Sequence, residues 1–164
     1  MSRPNRGKDF ERCFQRDWKR CFPETFILRL KDDTSGYRGS SKNPCDFLCL
    51  PDNKLYMIET KTHYGNTFPL SAFSQYDELM TYKDCNNVEI GVILWFLDHQ
   101  NSIVYIPLST FTKLKNDNKK SFNVKMIGKE DYPNIIIPSI KKRVFYVSDY
   151  RCLVESTESH LDIC

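Results

Sequence analysis

No stretch of this chain approaches the roughly 20 consecutive apolar residues that a membrane-spanning helix needs. Its opening, Met1-Ser2-Arg3-Pro4-Asn5-Arg6, also lacks the hydrophobic stretch of a signal peptide. A cytoplasmic chain is therefore expected. An excess of one charge is missing too: 24 Lys and Arg against 21 Asp and Glu leave a formal net charge of +3, too little to mark a nucleic-acid binder by itself. Three histidines, His63, His99 and His160, are dispersed, which disfavours a zinc-type hydrolase. Seven cysteines, Cys13, Cys21, Cys45, Cys49, Cys85, Cys152 and Cys164, form an odd set without zinc spacing. They read as reduced and mostly structural thiols. Repeats and linkers are absent. What is present, 164 residues with 40% hydrophobic and 13% aromatic content, argues against disorder and predicts one domain, 1–164, with a real core. Within it the core is expected over about 7–110, a C-terminal embellishment over about 111–155, and a tail over 156–164.

The apolar periodicity gives an alternating α/β order. Residues 7–22 predict a helix with Phe10, Phe14, Trp18 and Cys21 on one side, stopped by Pro23. Thr25 to Leu30 predicts a strand, and Lys31 to Pro44, polar with Gly36 and Gly39, a loop. Ser71 is placed to cap a helix reaching about Lys83, with Phe73, Tyr76, Leu79 and Met80 on its core stripe. Val88–Leu97 and Ser102–Leu108 predict a second hairpin, and Thr110–Asn116 a short helix. Asn134–Pro138 and Val144–Val147 read as edge strands, and Glu155–Cys164 as a frayed tail.

Between the loop and the Ser71 helix lies the most informative segment. Two short apolar runs flank Pro51-Asp52-Asn53-Lys54; the first opens on Cys45-Asp46-Phe47 and the second closes on Ile58-Glu59-Thr60-Lys61. If they form a hairpin turning at Asp52-Asn53, Leu50 faces Leu55, Leu48 faces Met57, and Asp46 falls opposite Glu59. Lys61 points to the face of Glu59. Two acids converging at the end of a run that is apolar on both faces repel, so one must take a proton or a cation must sit between them. A buried central strand carrying its charges into a cleft accounts for that pattern; a surface Glu59–Lys61 ion pair is the plainer alternative.

These residues carry a resemblance. Pro44-Cys45-Asp46, twelve intervening residues and Glu59-Thr60-Lys61 resemble the PD-(D/E)xK nuclease signature, with the proline one residue further from the aspartate than in its simplest form. Gly7-Lys8-x-Phe10-Glu11, Thr67-Phe68-Pro69-Leu70 and Gln75-x-x-x-Leu79 narrow it: over about residues 7–110 the chain resembles RecU-type Holliday junction resolvases, in a short phage-like version. The Leu30–Asp46 stretch is short, so the projecting stalk of such resolvases is expected to be reduced.

The resemblance implies an α/β fold with a PD-(D/E)xK nuclease-like core, a mixed central β-sheet flanked by helices, with the site at one edge. It implies a metal-dependent endonuclease cutting four-way DNA junctions by paired symmetric nicks, as a homodimer, in the cytosol of a bacterium or a phage-infected host. Asp46, Glu59 and Lys61 match the catalytic residues. Mg²⁺ or Mn²⁺ would rest on Asp46, Glu59 and the Thr60 backbone carbonyl, an oxygen set that suits such ions. Glu11 matches the family's N-terminal helix acid and either joins the metal, directly or through water, or is a helix surface charge. Gln75 matches a downstream glutamine that touches substrate or water; a solvated helix residue is its alternative. Lys42, Arg38, Arg12 and Arg16 are candidates for DNA phosphates, each equally readable as a solvated charge. Two other functions share these residues: a restriction- or repair-type nuclease on duplex DNA, and a non-catalytic DNA-binding module.

Overall fold

A computed structural model describes residues 5–30, 43–99, 102–143 and 145–158. The candidate phosphate contacts Arg38 and Lys42, most of the 31–44 loop, and the end of the expected tail lie outside them.

Helix α1 (Arg6–Cys21) begins where the Asn5 side chain accepts from the Lys8 N–H at 3.3 Å and ends at Phe22, before Pro23. Phe10, Phe14 and Trp18, four residues apart, form its buried stripe. Strands β1 (Phe26–Arg29), β2 (Phe47–Leu50), β3 (Leu55–His63), β5 (Val88–Phe96), β6 (Ile103–Pro107) and β8 (Ile135–Ile136) make a six-stranded sheet in the order β1-β2-β3-β5-β6-β8. All neighbours are antiparallel except β3 and β5, which run parallel from Leu55↔Val88 to His63↔Phe96. Those two nine-residue strands are covered on both faces, which is where parallel pairing is found.

On one face, Phe47, Tyr56, Ile58, Ile93 and Tyr105 pack against α1 and against Tyr150 and Leu153 near the C-terminus. On the other, Met57, Val92, Leu94 and Ile106 pack against Phe73, Tyr76 and Leu79 and against Phe111 and Leu114 of helix α3 (Leu108–Asn116). A two-stranded ribbon of β4 (Thr67–Pro69) and β7 (Ser121–Asn123) closes that side. No helix among the described residues is long and apolar enough to cross a membrane.

The expected helix from Ser71 to Lys83 does not form. Instead a 3₁₀ turn over Leu70–Ala72 precedes a single α turn, α2 (Tyr76–Leu79), and a second 3₁₀ turn over Met80–Tyr82. The reason lies in the spacing of the buried residues. Leu70, Phe73, Tyr76 and Leu79 recur every three positions, and three is the 3₁₀ repeat, whereas an α-helix would rotate that stripe off the core. Phe73 leaves helical geometry (φ −93°, ψ 72°) to pack its ring, tilted, 4.8 Å from that of Phe111.

The C-terminal region holds more structure than its sequence pattern predicts. Strand β10 (Tyr146–Ser148) pairs with β9 (Ser139–Lys141) away from the main sheet, and α4 (Arg151–Glu158) replaces the first part of the expected frayed tail. Asp17, 1% exposed on α1, fastens this hairpin. It accepts from the Ser148 N–H at 2.9 Å and from Arg16 Nε at 2.9 Å, and Arg20 donates to the Ser148 carbonyl at 2.7 Å.

Candidate active site

The β2–β3 register is the expected one: Phe47 faces Ile58, Leu48 faces Met57 and Cys49 faces Tyr56. The connection Pro51–Lys54 is a four-residue bend. Because β2 stops at Phe47, the peptide of Thr60 extends past its partner strand. Asp46 takes the place of that missing backbone. Its Oδ2 accepts both the Thr60 N–H and the Thr60 hydroxyl at 2.8 Å, and its own N–H donates to the Ile58 carbonyl at 3.1 Å. Hydrogen bonds to a charged acceptor contribute about 1.5–3 kcal/mol each, so the carboxylate is held in one orientation.

Glu59 sits beside it, its side chain 2% exposed, on the Met57 face of β3. Its Oε1 lies 2.7 Å from Lys61 Nζ, while Oε2 is buried with no hydrogen-bond partner. Burial, then the charge of Asp46, then that of Glu11 push the Glu59 carboxyl up to about 7, against the pull of Lys61. The β3 strand is the third of six, so these groups lie at an inner strand where its neighbour ends, rather than at the sheet edge that the sequence suggests. The adjacent Cys45 thiol is driven up to about 12, by burial first and by Glu59 and Asp46 next. It is a packed thiol donating to the Phe47 carbonyl at 3.3 Å.

Glu11 comes from α1 to the same place. Burial and then Asp46 raise its carboxyl, and Arg29, with which it forms an ion pair, pulls it back. Arg29 was not singled out by sequence reasoning. The signal is nevertheless there: it closes the apolar run of β1 and pairs with Phe47, next to Asp46. The two hydrogen bonds from Thr60 were missed as well.

The other candidates lie elsewhere. Gln75 sits just before α2, its carboxamide oxygen accepting from Ser74 Oγ at 3.0 Å. Arg16 is bound into the Asp17 network, donates to the Tyr146 carbonyl at 2.9 Å, and covers the Phe145 ring at 4.6 Å. Arg12 is exposed, 3.8 Å from Asp9. His63, at the end of β3, meets the rings of Phe68 and Phe96 edge-on.

The donor set fits a hard divalent cation. Among the described residues no three His, Cys, Asp or Glu side chains group as metal ligands; the two carboxylates would leave positions for water, as Mg²⁺ prefers. The unpartnered Glu59 Oε2 is the observation that favours such an ion, since a buried carboxylate oxygen left bare is costly.

No family model and no curated protein matches the sequence. Among solved structures, the chain is similar to Hjc, a Holliday junction resolvase from the archaeal hyperthermophile Archaeoglobus fulgidus. The match has 20% identity and a TM-score of 0.54, over 77% of this chain and 92% of that one. A likeness at that identity speaks to architecture alone: a mixed α/β core with a central mixed sheet flanked by helices.

Proposed function

We propose that this protein is a Mg²⁺- or Mn²⁺-dependent endodeoxyribonuclease that resolves four-way DNA junctions by paired symmetric nicks, working as a homodimer. The observation that carries the reading is Glu59: a buried carboxylate with one oxygen on Lys61, the other bare, and Asp46 beside it. A strand built only for stability would place an apolar residue there.

Asp46, Glu59 and the Thr60 carbonyl are the groups that would hold the cation. When bound, it supplies positive charge against the phosphate and makes water more acidic. Asp46 is preset for this work by the two Thr60 hydrogen bonds, both accepted by Oδ2. Glu59 must be ionised to bind, and Lys61 favours that form. Lys61, which holds Glu59 at 2.7 Å, is the cation that would orient the attacking water and steady the phosphate oxygens. Glu11, held by Arg29, bounds the site on the α1 side. Junction preference would be a matter of geometry, with two sites at fixed spacing across a two-fold axis.

The test is cleavage of a synthetic four-way junction and of its matched linear duplex with Mg²⁺, Mn²⁺ or EDTA, with Asp46→Asn in parallel. Symmetric nicks on the junction are expected, lost in EDTA and in Asp46→Asn, while that variant keeps or strengthens junction binding because a negative charge is gone. Equal cutting of duplex would replace the junction role with a duplex nuclease. Cutting of neither, or wild-type rates in Asp46→Asn, would overturn the reading.

A further inference from the structure

Two adjoining cavities of about 240 and 310 Å³ lie on the α1 face of the sheet, sharing Arg6, Trp95, Phe145 and Tyr146. We propose that they form one groove that binds unpaired nucleotides of a DNA branch, seating a base among Trp95, Phe145 and Tyr146 and its phosphates on Arg6, Lys141 and Arg143. The proposal rests on the nuclease reading for its ligand class, and names a surface that the carboxylate site does not include.

Three observations carry it. The first is charge. Arg6, Lys141 and Arg143 are exposed and have no ion-pair partner among the described residues. Asp9, the one acid lining the groove among those residues, is already set against Arg12 at 3.8 Å. A surplus of cations in an otherwise balanced chain marks this face for a polyanion. The second is the aromatic floor. Trp95 lies 5.4 Å from Phe10 and meets Tyr146 edge-on at 5.2 Å, so the indole is held rigidly between α1 and the β9–β10 hairpin. Its Nε1–H is buried with no acceptor among the described residues. Buried as it is, that donor is not offered to the groove; rings set among Arg6, Arg12, Lys141 and Arg143 instead suit a ligand that combines a flat face with negative charge, which a nucleotide does and a lipid chain or bare phosphate does not. Phe145, 39% exposed, carries the Arg16 guanidinium on its ring and completes the platform. Cationic walls with aromatic floors hold single strands, because every base presents a π-face.

The third is position. Trp95 pairs with Thr62, one residue beyond Lys61 on the adjoining strand, and Phe10 of the floor precedes Glu11 on α1. Trp95 and Thr62 lie on the α1 face, whereas Glu59 and Lys61 lie on the Met57 face, so the two surfaces are linked through Glu11 of α1, whose charge acts on Asp46 and Glu59. A single strand held in the groove would approach the carboxylates around the Glu11 end of α1, not along one face of the sheet.

The experiment uses the full chain in EDTA, so that nothing is cleaved. Tryptophan fluorescence and anisotropy are followed as a labelled oligothymidylate, or an abasic oligonucleotide of the same length, is added. The chain has two tryptophans and Trp18 is 0% exposed, so quenching by a base reports on Trp95. Quenching by oligothymidylate, little by the abasic strand, and none in Trp95→Phe is expected. Phe145→Ala should weaken oligothymidylate binding about tenfold, the loss of one stacked base. The pair Lys141→Glu with Arg143→Glu should flatten the salt dependence by about 1.4 in logarithmic slope, two phosphates fewer on a single strand. Equal affinity for the abasic strand, absence of quenching, or wild-type binding by Phe145→Ala would overturn the proposal. Quenching without junction cleavage would keep the groove and remove the nuclease reading; nicking without quenching would do the reverse.

Discussion

Replacing Glu59 by Gln should make the cation-free protein more stable while ending cleavage. Glutamine mimics the protonated acid, so the gain is the free energy now spent in ionising a buried carboxyl. Its value of about 7 against an ordinary 4.5 fixes both size and sign. Between those values the folded state binds the extra proton, so stability falls as pH rises from about 4.5 and levels off above about 7. The penalty is roughly 0.8 kcal/mol at pH 5 and roughly 3 kcal/mol at pH 8, at 1.36 kcal/mol per unit of pKa. At pH 8 the variant should melt about 6–12 °C higher than the wild type, and at pH 5 only about 2–3 °C higher. Thermal and urea unfolding in EDTA with a thiol reductant, at several pH values, measure this directly. Added Mg²⁺ should raise the melting temperature of the wild type at pH 8 and leave that of the variant unmoved. A variant less stable than the wild type at pH 8, or a difference that does not grow with pH, would refute the argument that Glu59 is a strained ionised group.

Lys61→Ala should keep the fold and DNA binding but lower cleavage by about 10²- to 10⁴-fold. It should also shift Mg²⁺ binding to higher pH, since Lys61 is the group pulling the Glu59 carboxyl down; normal cutting would make Lys61 only an ion-pair partner. Gly91→Ala puts a Cβ against the Tyr105 ring, 2.6 Å from its hydroxyl. Tyr105 is buried and donates to Glu89 at 3.0 Å, so overpacking should cost about 1–3 kcal/mol in urea unfolding. A double variant with Tyr105→Ala should lose less than the sum of the two singles.

The paired acids were legible because a strand alternates strictly: once Leu48 faces Met57, Asp46 must approach Glu59, whereas a one-residue slip would have sent Asp46 to the other face. The helix over 7–22 was legible because Phe10, Phe14 and Trp18 repeat with the α period. The Ser71 segment was misread because its stripe repeats every three residues, and over so short a span a period of 3.0 resembles one of 3.6. Arg29 and the Thr60 donors stayed hidden for a different reason. Both act through tertiary pairing, Arg29 on a helix acid 18 residues away and Thr60 on an aspartate across the hairpin. The C-terminal hairpin is held by Asp17 from 131 residues away, a partner that no local pattern announces.

That last bond sets an order of events as the chain is made. Helix α1, which brings Glu11 to the carboxylates, is made well before the hairpin that fastens it through Asp17, Arg16 and Arg20, since Asp17 and Ser148 are 131 residues apart. Loop closure over so long a stretch cannot be completed until its far end has been synthesised. The α1 wall of the site therefore locks only after β10 is made, and a nascent chain short of it holds Glu11 without that anchor. Any truncation that removes β9 and β10 leaves the protein permanently in that unfinished condition.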